Sequence, residues 1–412
     1  MRERRPKLRP LDVVVERGGP GPRLALRDPE GLFDGSLVAS PALAALLPLL
    51  DGTRTASEIA RAWAERTGVP LPAEDLDRVL LDLEEKLVLE GPSAEAARER
   101  AIAAWRALKL RPAACAGVSY PEEPDACAET LARHESAAGK VSVPRRVAAV
   151  LAPHIDLRGG GACHGATAKA LRRCPAEVFV VLGTAHAAIR RPFALTALDF
   201  ETPLGTVETD RGIVERLSRR GGGQLFDDEL AHRAEHSVEF QALWLRHAVG
   251  DRPGLRIVPV LVGSIGEAIR AGRSPREDPA VSDFAAALRE LREEMGERVA
   301  LVASVDLAHV GPRYGGEDPV NADELASVLA ADRPLLDAAR RVDAEGWFQG
   351  LSAEADRRNV CGAAPVYAML LALEGSGLPG RLLRHDAWEI DPDTGSHVSF
   401  AAIAYGPARA AS

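Results

Sequence analysis

The chain is poor in the features that mark secreted, membrane-spanning or nucleic-acid-binding proteins. Its 412 residues include five cysteines and no Cys-x-x-Cys pair, so neither a disulfide framework nor a structural zinc finger is expected. The longest apolar run, ALAALLPLL at 42–50, is too short to cross a bilayer, and no secretory apolar segment follows the first arginines. The net charge of −9 argues against a general nucleic-acid binder. We therefore expect a cytoplasmic protein without membrane or nucleic-acid partners, and we interpret the basic residues 1–10 as a solvated tail.

Residues 1–92 have the pattern of a small separate domain. Two short strands around the turn GGPGP precede three helices and a closing strand at 87–91, and this order is typical of a winged helix. The strands are predicted over 11–16 and 23–28, and the helices over 41–50, 55–68 and 73–86. The stretch resembles PqqD-like domains, which recognise peptides, through RDPEGLFDGSLVASPALAALLPLLDGTRTASEIA and LLDLEEKLVLEG. The resemblance implies a peptide- or partner-binding role, and a structural appendage is the alternative.

A polar helix over 93–112 is expected to link this domain to a larger one at 113–408. In the larger domain, apolar runs of strand length alternate with helical segments, which indicates an α/β sheet covered by helices on both faces. The predicted strands are VAAVLA (147–152), EVFVVLG (177–183), FALTALDF (193–200), RIVPVLVG (256–263), RVALVASVD (298–306) and HVSFAAIAYG (397–406).

Three of these strands end on residues that can bind metals or move protons. The first runs into His154, the second into His186, and the fifth into Asp306 and His309. Because ligands bind beyond the carboxyl ends of parallel strands, these residues are candidates for one site. Neutral imidazole is a common metal ligand and can also act as a base. For each histidine taken alone, the alternative to a metal-binding or catalytic role is a purely structural one.

The stretch LAPHIDLRGGG at 151–161 raises a second question, because three glycines follow His154 closely. A phosphate-binding loop is disfavoured, since neither a Gly-Lys-Ser/Thr ending nor the G-x-G-x-x-G spacing is present. Flexible backbone beside a ligand fits the glycines better. The string HRAEH, from His232 to His236, also matches the inverted zinc-peptidase pattern, although its three fixed positions make a weak match.

The larger domain resembles the Memo family, whose bacterial members include the AmmeMemoRadiSam system protein B group. The matching pieces occur in family order over 113–408: ACAGVSYP, APHIDLRGGG, VLGTAHA, FETPLGTVETD, EHSVEFQ, IVPVLVG, SVDLAHVG, NVCGAAPV and HVSFAAIAYG. The family is similar in fold to class III extradiol dioxygenases, which hold non-haem iron with two histidines and a carboxylate. The resemblance implies the α/β fold of those enzymes.

The resemblance also implies a metal site formed by His154, His186 and Cys361. A thiolate in place of a carboxylate favours one Fe(II) or Cu ion, with Zn as a further candidate, over Mg or Ca. Three protein ligands would leave a position open for O2 or a substrate.

Further residues are expected to act around this metal. Asp306 and His309 correspond to the catalytic base region of the related dioxygenases, and His236 is grouped with them as catalytic. Around the pocket or behind the ligands we expect Asp156, Arg158, Glu235 and Glu239. The alternative for Asp156 and Arg158 is a local ion pair without a role in the pocket. The alternative for His236 and Glu239 is a charge pair at the start of a helix. The chain departs from the family pattern at Cys115 and Ala187, where histidines are common.

Two functions from different classes remain open at this point. One is a metal-dependent redox enzyme acting on a small molecule or peptide in a radical-SAM-associated pathway. The other is a non-catalytic metal-holding module whose residues 1–92 recruit a peptide or a radical-SAM enzyme. A zinc peptidase that uses HRAEH is a weaker third interpretation.

Overall fold

The computed structural model describes residues 4–16, 23–33, 35–250 and 252–407. The chain divides into two compact units, Met1–Leu108 and Lys109–Ser412. The predicted turn GGPGP, at 18–22, lies outside the described residues. The finer division into 1–92, 93–112 and 113–408 stays a prediction.

The first unit contains a small antiparallel sheet followed by helices. The sheet has the strand order β1-β2-β3, and β3 was not predicted. Its elements are β1 (Asp12–Glu16), β2 (Arg23–Arg27), β3 (Ser36–Ala39), α1 (Pro41–Leu46), α2 (Ala56–Thr67), α3 (Ala73–Glu85) and α4 (Pro92–Arg106). The winged-helix classification stays a prediction.

Local sequence explains where these helices begin and end. Ser40 caps α1, and Pro41 occupies its first turn, where a missing N–H is tolerated. Thr55 and Glu58 form both hydrogen bonds of a capping box at the start of α2. Gly68 ends α2 in the left-handed conformation, with φ 73°, which glycine adopts without strain. These ends confirm the predicted helix over 55–68.

The interpretation of residues 1–10 as a solvated tail is wrong for its described part. Lys7 and Leu8 form bridges with Asp51 and Leu89, and the latter bridge is all that the structure describes of the predicted strand at 87–91. Arg9 is buried, and its Nη2 lies 2.8 Å from Asp28 Oδ1. A buried arginine requires such a partner, so this segment is anchored to its unit.

The second unit is built on a mixed sheet with the order β12-β14-β5-β11-β6-β10-β7. Strands β5, β11, β6 and β10 are parallel neighbours, whereas β14 and β7 run antiparallel to them. The strands are β4 (Leu110–Arg111), β5 (Ala149–Ala152), β6 (Val178–Thr184), β7 (Phe193–Leu195), β8 (Asp199–Phe200), β9 (Glu208–Thr209), β10 (Arg256–Val262), β11 (Val299–Ser304), β12 (His309–Val310), β13 (Gly380–Asp391) and β14 (Ser396–Tyr405).

Helices cover both faces of this sheet, as expected. They are α5 (Pro124–Ala137), α6 (Leu157–Leu171), α7 (Arg211–Arg220), α8 (His236–Val249), α9 (Gly266–Ala271), α10 (Pro279–Met295), α11 (Ala322–Arg340), α12 (Ala344–Ala353) and α13 (Ala363–Leu373). Alternate side chains of a strand point to opposite faces. In β6, Val178, Val180 and Leu182 therefore pack with α10, α12 and α13, and Phe179 and Val181 pack with α6 and α8.

Two details depart from the sequence prediction. The predicted strand 193–200 is split into β7 and β8, which pair with different strands. The long strand β13 was not predicted, since most of its side chains are partly exposed and show no apolar run. Among the described residues, no helix is both long and apolar enough to span a membrane.

Candidate metal centre

Three adjacent parallel strands bring the predicted site residues together. His154 follows β5, Asp306 follows β11, and His186 follows β6, and these strands are neighbours in the order β5-β11-β6. Their carboxyl ends meet at the same edge of the sheet, which is where open α/β sheets bind ligands. The predicted convergence of the three strand ends is therefore present in the fold.

His154 is fixed by the strand next to it and is only 2% exposed. Its Nδ1 lies 3.0 Å from the carbonyl oxygen of Ser304. Because a carbonyl can only accept, Nδ1 carries the proton and Nε2 keeps a lone pair. That Nε2 lies 3.3 Å from Cys361 Sγ and 3.6 Å from Asp306 Oδ2.

Asp306 and Cys361 both lie close to Nε2 of His154. The backbone N–H groups of His154 and Ile155 donate to Asp306 Oδ1 at 3.1 and 3.0 Å. The N–H of Asp306 donates to Cys361 Sγ at 3.3 Å, and the thiol lies 3.5 Å from the carbonyl oxygen of Asp306. The carboxyl group, the thiol and the imidazole are thus held together by backbone contacts as well as by side chains.

His186 and His236 share the carboxylate of Glu235. Oε2 of Glu235 accepts from the backbone N–H of His186 at 2.9 Å, and Oε1 lies 3.0 Å from its Nδ1. His236 Nδ1 lies 3.3 Å from the same Oε1. The His186 and His236 rings stack with centroids 4.7 Å apart, and the His154 ring lies edge-on to both.

Burial and neighbouring charges shift the pKa values of these groups strongly. Burial, together with the nearby imidazoles, holds the pKa of His154 well below its usual range. Burial also lowers the pKa of His236 to about 4. Burial alone would lower the pKa of His186, but the Glu235 carboxylate and the Cys361 thiol beside it raise it well above the usual value.

The acidic groups respond to the same environment. Burial raises the pKa of the Asp306 carboxyl to about 7, although two backbone N–H groups partly offset this effect. Burial likewise raises the pKa of the Cys361 thiol. Burial opposes ionisation of Glu235, but the charge of His186 prevails and holds the pKa of this carboxyl well below its usual range. Strongly shifted pKa values gathered at one edge of a sheet make this cluster a candidate functional site.

His309 begins the short strand β12, three positions after Asp306. Its Nδ1 donates to the carbonyl oxygen of Leu307 at 3.0 Å, so its Nε2 keeps a lone pair. Its ring lies edge-on to Tyr314, with centroids 4.9 Å apart, and burial lowers its pKa to about 4. Its backbone N–H donates to Arg358 at 2.7 Å, which ties it to the segment that carries Cys361.

The donor atoms form two groups that share His154, and either group is close enough to hold a metal ion. Among the described residues, two groups each have their ligating atoms within 4.8 Å of one another: His154 with His186 and His236, and His154 with Asp306 and Cys361. The protonated Nδ1 of His154 and the carboxylate behind His186 are the kind of support that metal-ligating histidines receive. The residues present therefore fit a transition metal by their chemistry.

A buried polar network supports this edge of the sheet and was not predicted. Gln241 Nε2 donates to the Pro153 carbonyl at 2.8 Å and to Ser304 Oγ at 2.9 Å. Ser304 Oγ in turn donates to the Ser237 carbonyl at 2.6 Å, and Ser237 Oγ donates to the Thr184 carbonyl at 2.8 Å. The signal was present in the sequence, because Ser304 and Gln241 interrupt otherwise apolar segments.

The glycines after His154 are not flexible backbone beside a ligand, and that interpretation is wrong. They lie inside α6, where a side chain would collide with neighbouring elements. A Cβ at Gly159 would lie 1.8 Å from the Trp388 ring, and one at Gly161 would lie 2.0 Å from the His134 ring. The glycines let α6 pack closely against β13 and α5.

Asp156 and Arg158 form the local ion pair that was the alternative to a pocket role. Asp156 caps α6, and its two carboxylate oxygens lie 2.7 and 2.8 Å from Arg158 Nε and Nη2. Arg158 is largely exposed. Asp156 has one link to the centre, because its charge acts on the pKa of His236.

Glu239 is fully buried beside Arg111 and belongs to neither of the two donor groups. Arg111 Nη1 lies 2.5 Å from Glu239 Oε2, and the N–H groups of Ala114 and Cys115 donate to the carboxylate at 3.1 and 2.8 Å. Tyr120 donates to it as well. Arg111 Nη2 also donates to the Glu235 carbonyl at 2.8 Å. Sequence reasoning could not find Arg111, because no pattern links it to a residue 128 positions away.

His232 is not brought to the cluster, which contradicts the peptidase interpretation. It lies in a 3-10 turn, Glu229–Arg233, while His236 begins α8, so the two do not share a helix face. Its Nε2 lies 3.1 Å from the Ala194 carbonyl oxygen. The HRAEH string therefore does not form a zinc-peptidase helix.

A cavity of about 1020 Å³ opens beside His186, whose side chain is 39% exposed. Apolar side chains such as Ile189, Phe193 and Val262 form part of its wall, and Ser274 and Tyr367 contribute polar groups. Its volume is at the upper end of the range for ligand sites. The centre thus has space for a sizeable molecule on its His186 side.

The fold and the cluster together define an α/β protein with a candidate metal centre at the carboxyl edge of its sheet. The profile of the Memo-like protein family matches residues 111–404, and the chain therefore belongs to this family. This confirms the resemblance predicted for the larger domain.

The relatives differ in how much of the chain they match. A MEMO1 family protein of Aquifex aeolicus is 27% identical over 406 residues, covering 97% of this chain and 100% of the relative. One from Thermus thermophilus is 31% identical over 294 residues, covering 70% and 78%. One from Pyrococcus furiosus is 28% identical over 303 residues, covering 71% and 98%. The Aquifex match is longer than the Lys109–Ser412 unit and therefore includes residues of both units. The other two matches are short enough to lie within that unit.

Proposed function

We propose that the Lys109–Ser412 unit holds one transition metal ion with His154, His186 and Cys361 and acts as a redox enzyme of dioxygenase-like architecture. The observation that carries this proposal is that two donor groups share His154: its imidazole lies within 4.8 Å of the donors of His186 and His236, and within 4.8 Å of those of Asp306 and Cys361. The Cys361 thiol also lies beside His186, which links the two groups. Nitrogen and sulfur donors suit Fe(II) or Cu, and also Zn, better than Mg or Ca. The metal when bound would supply Lewis-acid and electron-transfer chemistry.

The chain's own residues would orient the substrate and move protons. His309 keeps a lone pair on Nε2, because its Nδ1 donates to Leu307, and can accept a proton there. Asp306 has one oxygen held by two backbone N–H groups, and its other oxygen lies near His154 and is available for a proton. A small molecule or peptide would reach the centre through the cavity beside His186.

Metal analysis of the loaded and dialysed full chain tests the site. We expect one ion per chain, and at least a tenfold loss of affinity in Cys361→Ser and in His154→Ala. Cys115→Ser is the matched control, because Cys115 is also partly exposed but lies outside both donor groups. The proposal is wrong if the wild-type chain retains no stoichiometric metal or if all three variants bind equally well.

A second candidate function is a metal-holding module that recruits a partner through its first unit. Val13 and Val38 are 60% and 47% exposed, and they lie on β1 and β3, the two edge strands of the small sheet. Exposed apolar edges can pair with an extended peptide. A peptide or a radical-SAM enzyme is the partner that the PqqD-like resemblance implies.

Oxygen uptake separates the two functions. The Fe(II)-loaded full chain, supplied with ascorbate, should consume O2 faster than His309→Ala at equal metal content if the unit is a redox enzyme. If both proteins consume O2 only at the rate of free iron, the metal-holding module is favoured. Binding of a radical-SAM enzyme by the wild type, and its loss in a Val13→Lys/Val38→Lys variant, would support the module further.

A further inference from the structure

One buried carboxylate, that of Glu235, is hydrogen-bonded to His186 and lies beside the imidazole of His236. It caps α8 by accepting from the Ser237 N–H at 2.9 Å. It also accepts from the backbone and the Nδ1 of His186, and it lies 3.3 Å from Nδ1 of His236. Its side chain is 4% exposed, so water does not compete for these contacts. The loop after β6 and the start of α8 are thereby joined at a single group.

This arrangement leaves the other nitrogen of each ring available as a ligand. A carboxylate facing Nδ1 favours the tautomer with the proton on Nδ1, which places the lone pair on Nε2. Within the described residues, the His236 side chain lies within ion-pair distance of Glu235 and against neighbouring aromatic rings, with no side-chain hydrogen bond that would occupy its Nε2. A half-exposed imidazole that is oriented by a buried carboxylate is suited to bind a metal ion.

The distances agree with a shared ion. One ligating atom each of His154, His186 and His236 lies within 4.8 Å of the others. Three nitrogens that each lie about 2.1 Å from one metal are about 3.4–3.6 Å apart, so the rings would move together by up to about an ångström on binding the ion. Stacking of the His186 and His236 rings keeps the two nitrogens side by side.

We propose that His236 is a further metal ligand and that Glu235 is the positioning residue that presents His186 and His236 together. This inference rests on the proposed metal site and extends its ligand set to His154, His186, His236 and Cys361. Three imidazoles and a thiolate would complete a tetrahedral zinc site, whereas iron or Cu(II) could still accept a substrate at a fifth position. The identity of the metal would therefore decide whether the centre is open or closed.

The test uses the full chain loaded with Co(II) or Cu(II). The thiolate charge-transfer band of the Co(II) protein reports Cys361 independently of the histidines. Pulsed electron paramagnetic resonance of the Cu(II) protein counts the bound imidazoles, and we expect three in the wild type and two in His236→Ala. Glu235→Gln should lower metal affinity by about 10- to 100-fold, the range for such supporting groups. The loss in the Glu235→Gln/His236→Ala double variant should be smaller than the product of the single losses.

His247→Ala is the matched control, because His247 lies on the same helix but pairs with Glu135. It should keep the affinity and the imidazole count of the wild type. If the Co(II)-loaded wild type shows no thiolate charge-transfer band, the proposed metal site itself is refuted. A retained band with an unchanged affinity and an unchanged imidazole count in His236→Ala would overturn the inference alone. Since His236 is partly exposed, this variant tests the idea even if Glu235→Gln does not fold.

Discussion

Removal of the Glu239 carboxylate should destabilise the larger unit severely. Glu239 and Arg111 are both fully buried, and the carboxylate accepts hydrogen bonds from Arg111, from Tyr120 and from two backbone N–H groups. Glu239→Ala would leave a buried guanidinium without its counter-charge. Breaking a buried pair in this way costs about 3–5 kcal/mol.

The expected change is large enough for calorimetry. With about 4 kcal/mol lost, and roughly 2 °C per kcal/mol for a domain of this size, the melting temperature of the larger unit should fall by about 8 °C. Metal affinity should fall as well, because Arg111 also holds the backbone of Glu235. The Arg111→Met/Glu239→Leu double variant is the control and should recover part of the stability, since it removes both charges but leaves the Tyr120 hydroxyl and two backbone N–H groups without their acceptor. A drop of less than about 2 °C in Glu239→Ala would refute this reasoning.

Three further changes test other parts of the structure. Gly165→Ala should cost about 1–3 kcal/mol in urea unfolding, because its Cβ would lie 2.1 Å from a backbone carbonyl oxygen of α5, whereas Gly212→Ala, with only a 3.4 Å contact, should be neutral or stabilising. Burial lowers the pKa of His164 to about 4 in the folded chain. Below pH 6.5 the unfolded chain takes up this proton and the folded chain does not, so stability should fall by about 2 kcal/mol between pH 7 and 5, and His164→Gln should weaken that dependence. Asp332→Ala should cost about 3–5 kcal/mol, because this buried carboxylate accepts from Arg358, and equal stability of this variant and the wild type would contradict the assignment.

Much of the fold could be predicted because apolar runs mark buried parallel strands. The strands β5, β6, β10 and β11 are buried almost throughout, and their sequences contain almost no polar residues. Strand β13 could not be found in this way, because partly exposed residues show no apolar run. The packing role of the α6 glycines could not be predicted for a related reason. Close contact of a helix with distant elements, here β13 and α5, leaves no pattern in the neighbouring sequence.

The candidate site was predictable where chemistry and chain position coincide. His154, His186 and Asp306 each follow a strand directly, so topology alone places them at one edge. Cys361 comes from a distant segment and was found through the family resemblance. The sharing of Glu235 between two imidazoles could not be predicted, because it depends on how the start of α8 meets the loop after β6.

X-ray absorption at the metal edge of the loaded full chain tests the central claim most directly. The claim predicts a sulfur scatterer at about 2.3 Å together with imidazole nitrogens at about 2.0–2.1 Å. Cys361→Ser should remove the sulfur shell and leave the nitrogens in place. A spectrum with oxygen and nitrogen neighbours alone, unchanged by Cys361→Ser, would contradict the claim that Cys361 and the strand-end histidines hold the metal.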